Sequence, residues 1–263
     1  TARWSPSPDL PTATLIPMTG AWLLDVGNSR TKLAVLEGTG VHPPVSFPHQ
    51  SGPRRLAKEL VGHLQEQEAW PVWVCCSNPT VQAELPSVMG ETHPLHVLSN
   101  GHIPLQVATK GTGVDRLLAT WAAWQMMGTG VIVLDVGTAW TLDVLTKDGT
   151  FHGGSIGISP SLQAELLHEV CPHLPMADLQ QRSSGSIPTN TLDAVNAGIW
   201  QAFAKATEGL KSAWQKEVGQ TLIPVLCGGG SQAIRGWLEE SWEWQPDLIL
   251  EGLARMVHRH EQA

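Results

Sequence analysis

Residues 22–36 read Trp22-Leu23-Leu24-Asp25-Val26-Gly27-Asn28-Ser29-Arg30-Thr31-Lys32-Leu33-Ala34-Val35-Leu36. An apolar run ends at Asp25-Val26, a polar turn follows at Gly27-Asn28-Ser29, and a second run returns from Lys32 to Leu36. This pattern predicts a β-hairpin. Glycine at its turn lets the backbone come close to a ligand, with N–H groups available to anionic oxygens. A carboxylate just before the glycine can hold a metal ion or its water shell, and the metal can bridge phosphate oxygens. The hairpin has the parts of one jaw of a phosphate clamp.

The pattern recurs. Leu134-Asp135-Val136-Gly137 repeats Leu24-Asp25-Val26-Gly27 at an offset of 110 residues, and Thr141 falls where Thr31 falls. A strand from Thr141 to Leu145 follows the second copy as Lys32 to Leu36 follows the first. The plainer reading is that Asp-x-Gly merely makes a good turn. The shared order of strand, Asp, Gly, polar turn and strand predicts instead two related lobes, each opening with an Asp-bearing hairpin. Facing one another across a cleft, two such hairpins would grip the ends of a polyphosphate, with hydroxyls at Ser29, Thr31 and Thr138 as further donors. The expected lobes are 21–128 and 129–257. Residues 1–20, with Pro6, Pro8, Pro11 and Pro17 among Ser and Thr and no periodicity, read as a disordered leader.

Other segments fit this frame. Residues 53–68 read as an amphipathic helix through Leu56, Leu60 and Leu64, and Val72 to Cys76 as an apolar strand. A helix is expected from Asp115 to about Met127, ended by Gly128-Thr129-Gly130. Its Leu117, Leu118, Trp121, Ala122 and Trp124 make it apolar over more than one face, so a partner subunit is expected to cover the surplus.

Composition excludes several classes. Hydrophobic residues make up 42% and charged residues 15%, and the formal net charge is −8. An acidic chain with only short basic runs, Arg54-Arg55 and His258-Arg259-His260, is not built for nucleic acid. No apolar run approaches the roughly 20 residues that span a bilayer, and the N-terminus lacks a secretory layout. Cys75, Cys76, Cys171 and Cys227 form no C-x-x-C pair and read as ordinary thiols, so a cytoplasmic protein is expected. There is no G-x-x-x-x-G-K-[ST] loop. Gly111-Thr112-Gly113 opens a dinucleotide-like pattern, but Arg116 stands at its third glycine. Protein-kinase and zinc-hydrolase signatures are absent. Twelve Trp stand beside no Tyr, and Trp70, Trp73, Trp121, Trp124, Trp200 and Trp214 read as core or subunit interface.

Six stretches, in order, carry a family resemblance. Asp25 to Lys32 resembles the D-x-G-N-[ST]-x-x-K nucleotide motif of type III pantothenate kinases. Gly113-Val114-Asp115-Arg116 matches their G-x-D-R element, and Asp135-Val136-Gly137-Thr138-Ala139 their D-x-G-T-A element. Gly153 to Pro160 resembles the G-G-x-I-x-P-G loop, with Ser161 in place of its last glycine. Thr191 to Gly198 is similar to the T-x-x-A-[IV]-x-x-G helix start, and Leu226-Cys227-Gly228-Gly229 to the L-T-G-G turn, with Cys227 in the Thr place. The resemblance spans residues 24–230.

It implies an α/β fold of two RNase H-like lobes with an ATP cleft between them, in the acetate kinase/sugar kinase/Hsp70/actin superfamily. It also implies ATP-dependent phosphorylation of pantothenate to 4'-phosphopantothenate, the first step of coenzyme A biosynthesis. Asp115 would be the general base. ATP would be bound by Asp25, Val26, Gly27, Asn28, Ser29, Arg30, Thr31, Lys32 and Thr138. Pantothenate would be held by Gly113, Val114, Asp115, Arg116 and Thr191. Asp135 corresponds to a monovalent-cation site, for potassium or ammonium, and the place of Asp25 on its hairpin makes it the expected magnesium site. A homodimer is implied too. Family members commonly place a Tyr shortly before G-x-D-R; here Gln106 or Thr109 stands near that place. Two other readings stay open, a non-catalytic transcriptional accessory protein on the same fold and a kinase of another small hydroxylated acid or sugar. Plainer roles also exist for single residues: a first-turn helix Asp for Asp115, a surface ion pair for Arg116, a helix N-cap for Thr191.

Overall fold

A computed structural model of the chain describes residues 20–49, 53–64, 69–89, 93–178, 187–238 and 242–262. The expected leader, up to residue 19, and the helix end at 65–68 lie outside the described residues. In chain order the elements are β1 (Gly20–Val26), β2 (Arg30–Glu37), β3 (Gly40–Val41), β4 (Val45–Pro48), α1 (Pro53–Leu64), β5 (Val72–Cys76), α2 (Pro79–Met89) and β6 (Leu95–Val97). Then come β7 (Gln106–Val107), α3 (Val114–Met127), β8 (Val131–Val136), β9 (Ala139–Leu145), β10 (Thr150–Ile158) and α4 (Pro160–Val170). The chain ends with α5 (Thr191–Asn196), α6 (Ala202–Val218), β11 (Ile223–Cys227), α7 (Ser231–Ile234), β12 (Glu243–Trp244) and α8 (Leu248–Glu261).

Backbone contacts divide the chain into two units. One takes in the chain up to Leu105, Lys110–Ala122 and Leu248–Ala263; the other takes in Gln106–Thr109 and Ala123–Asp247. Sequence order placed α8 with the second lobe, yet α8 packs on β1 and β5 of the first.

In the first unit the strand order is β3-β2-β1-β5-β6, with β4 also on β2. β1 and β2 run antiparallel, while β1, β5 and β6 run parallel. Side chains alternate across a strand, so Trp22, Leu24 and Val26 share one face of β1. They pack with Val72 and Val74 against Leu56, Leu60 and Leu64 of α1 and Val81 and Leu85 of α2. The four-residue spacing of the α1 leucines makes a single buried stripe, and each fully buried leucine contributes about 1.5–3 kcal/mol. Leu23, Asp25, Trp73 and Cys75 take the opposite face. There Trp73 stacks on His96 of β6 at 4.7 Å and meets His260 of α8 edge-on at 5.4 Å. Gly252 of α8 lets α3 come close, since a Cβ there would lie 2.8 Å from Leu118 Cγ.

On α3, Leu117, Leu118, Trp121 and Ala122 are at most 3% exposed, while Trp124, Met126 and Met127 are half-buried.

The second sheet runs β12-β11-β8-β9-β10-β7. β8, β9 and β10 form an antiparallel meander, and β11 and β12 add in parallel beside β8. With β4 and the edge strand β7 set aside, both sheets follow one plan, with strands in the order third, second, first, fourth, fifth. This is the RNase H-like plan that the family resemblance implies, in two lobes as the repeated hairpin predicts. Leu134, Val136, Leu142 and Val144 face a helical layer that contributes Ala164 of α4, Val195 of α5, Phe203 and Ala204 of α6 and Ile234 of α7. A π-helical turn at Ala197–Gln201 joins α5 to α6. Of the Trp residues expected in a core or interface, Trp73, Trp121 and Trp200 are buried, while Trp70, Trp124 and Trp214 are half-buried. Among the described residues, no helix is long and apolar enough to cross a membrane.

The two hairpins differ by one residue. Val26 pairs with Thr31, but Thr141 pairs with Asp135 and Val136 with Trp140. Thr141 is thus not the counterpart of Thr31; the first turn holds one residue more, which moves Thr31 to the other face.

Candidate active site

Asp25 sits half-buried near the end of β1, opposite Lys32 on β2 and beside Cys75 on β5. Val26 behind it is buried in the core. The Gly27 N–H donates to the Arg30 carbonyl at 3.0 Å and closes the turn, leaving Asn28, Ser29 and Arg30 exposed at the tip. Thr31 is fully buried, and its Oγ1 lies 2.8 Å from His49 Nε2.

Asp115 occupies the first turn of α3, where the helix dipole favours a negative charge. Its Oδ1 accepts from the Arg116 N–H at 2.9 Å; among the described residues Oδ2 has no hydrogen-bond partner. Gly113 abuts this carboxylate so closely that a Cβ would collide with Asp115 Oδ1. Val114 packs inward, and Arg116 is half-buried. The Asn100 side chain donates to the Thr112 carbonyl at 2.7 Å and steadies the loop that delivers Asp115.

Cys76, at the end of β5, feels the charges of Asp25 and Asp115. Burial pushes the Cys76 thiol up, and the nearby charges of Asp25 and then Asp115 push it the same way, against the lowering effect of backbone contacts at Asn78 and Gln82. Asp25 and Asp115 stand on separate elements of the first unit, β1 and α3. None of the four cysteines forms a disulfide.

Asp135 and Thr138 lie in the second unit. Asp135 is half-buried on β8 between Thr141 of β9 and Cys227 of β11. Gly228, with φ +86°, turns the chain directly over it; a Cβ there would collide with Asp135 Oδ1 and lie 2.6 Å from the Val136 carbonyl oxygen. Thr138 is exposed at the tip of the second hairpin, where its carbonyl accepts from the Ser159 N–H at 3.2 Å. Thr191 is exposed at the first position of α5. Its plainer role falls to its neighbour: Asn190 is the N-cap, its side chain accepting from the Asp193 N–H at 2.9 Å. At the place of the missing Tyr, Gln106 belongs to β7, and the Thr109 methyl lies where a Cβ on Gly153 would be only 2.8 Å away.

Sequence reasoning missed His49, Asn100 and Asn190. Only Asn190 carried a signal, an Asn three residues before Asp193 at a helix start.

The family model for type III pantothenate kinase matches residues 22–213. The chain belongs to the type III pantothenate kinase family. A type III pantothenate kinase of Stenotrophomonas maltophilia (strain K279a) is 31% identical over 246 residues, which cover 90% of this chain and 98% of that protein. Among solved structures, a Campylobacter jejuni protein provisionally described as a Baf family transcriptional activator superposes with TM-score 0.65 at 16% identity, covering 92% of this chain and all of that one. MreB5 of Spiroplasma citri bound to ADP gives 0.55 at 11% identity, covering 92% and 97%. At these identities the likeness is one of fold, and the fold is that of actin-like ATPases and sugar kinases. As a type III pantothenate kinase, the chain is an enzyme that uses ATP to phosphorylate pantothenate.

Proposed function

We propose that Asp115 is the general base of this pantothenate kinase. Its carboxylate takes the proton from the primary hydroxyl of pantothenate as that oxygen bonds to the γ-phosphorus of ATP and the bond from this phosphorus to the ADP oxygen breaks. A positioned base contributes about a hundred- to ten-thousandfold in rate; the rest comes from positioning and charge stabilisation. The observation that supports this best is the place of Asp115 in the first turn of α3, its Oδ1 held by the Arg116 N–H at 2.9 Å and its Oδ2 left without a protein partner among the described residues.

The exposed tip at Asn28, Ser29 and Arg30 holds phosphate oxygens together with Gly27 and Lys32, and Thr138 of the second unit is a further ATP-binding residue. Gly113, Val114, Arg116 and Thr191 hold pantothenate. The half-buried oxygen donor of Asp25 fits magnesium, which, when bound with ATP, supplies positive charge to the triphosphate. Asp135 supplies a hard-oxygen carboxylate of the kind that fits potassium or ammonium. The working unit is a cytoplasmic homodimer. Support for the dimer comes from exposed apolar side chains of the second unit: Ile156 and Ile158 on β10, 62% and 49% exposed, and Val170 on α4, 77% exposed.

ADP release measured against a panel of hydroxylated acids and sugars tests the acceptor. Pantothenate alone should support turnover, magnesium should be required, and potassium or ammonium should stimulate well beyond sodium. Faster turnover on another acceptor would move the substrate assignment, and equal rates in sodium and potassium would remove the cation role of Asp135.

A further inference from the structure

The geometry points to His49 as a positioning residue for the nucleotide hairpin, an inference that rests on reading Asp25 to Lys32 as that hairpin. β4 lies antiparallel on β2, with Phe47 opposite Thr31 and Pro48 opposite Arg30. His49 follows directly and ties itself to the turn three times. Its backbone N–H donates to the Ser29 carbonyl at 3.0 Å. Its Nδ1 lies 2.9 Å from the Asn28 carbonyl oxygen, and its Nε2 lies 2.8 Å from Thr31 Oγ1.

These partners fix the chemistry of the ring. A carbonyl only accepts, so Nδ1 carries the proton and donates to Asn28. In the neutral ring Nε2 accepts from the Thr31 hydroxyl; in the protonated ring Nε2–H donates to the Thr31 oxygen. The tie survives in either state. It also satisfies a hydroxyl that is 0% exposed, which would otherwise carry the cost of a buried polar group without this partner.

The turn needs such a hold. The Gly27–Arg30 hydrogen bond and the Val26–Thr31 register make Asn28 and Ser29 the two central residues of a two-residue hairpin loop. Loops of that length favour turns with positive φ, whose twist matches the flanking strands. Neither Asn28 nor Ser29 has a positive φ. Asn takes up the left-handed conformation more readily than most residues, so without an outside contact the tip would relax toward the favoured turn. His49 prevents this by holding both carbonyls. Because a peptide unit is planar, anchoring the Asn28 carbonyl also sets the direction of the Ser29 N–H on the opposite edge of that plane. Backbone N–H groups recognise phosphate oxygens only when so aimed, and a preset tip spares the nucleotide the cost of ordering it.

Steady-state kinetics on the full chain tests this with three variants. His49→Phe keeps a ring and removes both side-chain hydrogen bonds; it should raise KM for ATP about tenfold while kcat and KM for pantothenate stay within about twofold. His49→Gln keeps one donor and one acceptor and should restore most of the ATP affinity. Asp25→Asn reports on the hairpin itself and should also weaken ATP. If Asp25→Asn weakens ATP and His49→Phe does not, His49 is no positioning residue and the hairpin reading stands. If Asp25→Asn leaves ATP untouched, the hairpin reading fails and takes this inference with it. Equal ATP affinity in the Phe and Gln variants, or a loss spread over kcat and both KM values with a lowered melting temperature, would overturn the tie.

Discussion

A methyl group on Gly113 would collide with the Asp115 carboxylate. That contact gives the glycine before the proposed base a physical reason: it keeps space for the carboxylate that the Arg116 N–H holds in place. Gly113→Ala should push the carboxylate aside and lower kcat about tenfold, equivalent to ~1.4 kcal/mol of barrier. The collision involves a side-chain end rather than backbone, so the melting temperature should shift by no more than about 2 °C. Kinetics beside a thermal melt checks both, and an unchanged kcat would show that the carboxylate position is not limiting. Gly228 differs, because its positive φ makes the backbone itself ask for glycine. Both glycines stand in motifs visible in the sequence, but the reason for each appears only when Asp115 and Asp135 are placed against them.

Elements differ in how plainly the sequence announced them. The β1–β2 and β8–β9 hairpins are local, so an Asp-x-Gly between apolar runs was enough to read them. β4 is short, mostly exposed and ends in Pro48, so nothing announced that the next residue would meet a turn some twenty positions earlier. α8 shows an apolar stripe that tells it is covered, but local pattern carries no record of which sheet covers it, and more than two hundred residues separate it from β1. Its arrival brings the His260 ring beside Trp73 and His96. Burial first, and the neighbouring His260 second, hold the His96 imidazole below its ordinary value of 6.5. The unfolded chain then binds the proton more readily than the folded one. The stability contributed by the neutral ring is complete above the ordinary value and is lost as pH falls through it toward the folded value. Melting temperatures from about pH 7.5 to about pH 5.5 should therefore fall more steeply for wild type than for His96→Phe, which keeps a ring beside Trp73. Parallel slopes for the two proteins would contradict the assignment.

For the whole molecule, the internal repeat was the most legible feature, because both sheets grow from the same hairpin and follow the same strand order. On α3, Leu117, Leu118, Trp121 and Ala122 are buried and Trp124 is half-buried, whereas Ile156, Ile158 and Val170 are exposed. Light scattering at micromolar concentration should give about twice the 28.4 kDa chain mass, and Ile156→Asp with Val170→Asp should shift it toward one chain. A wild-type mass of 28.4 kDa with full activity would remove the dimer as a requirement. The account turns on a single carboxylate. Pantothenate-dependent ADP release by Asp115→Asn should fall about a hundred- to ten-thousandfold below wild type, with ATP affinity and circular dichroism unchanged. Turnover at the wild-type rate would show that Asp115 is not the base.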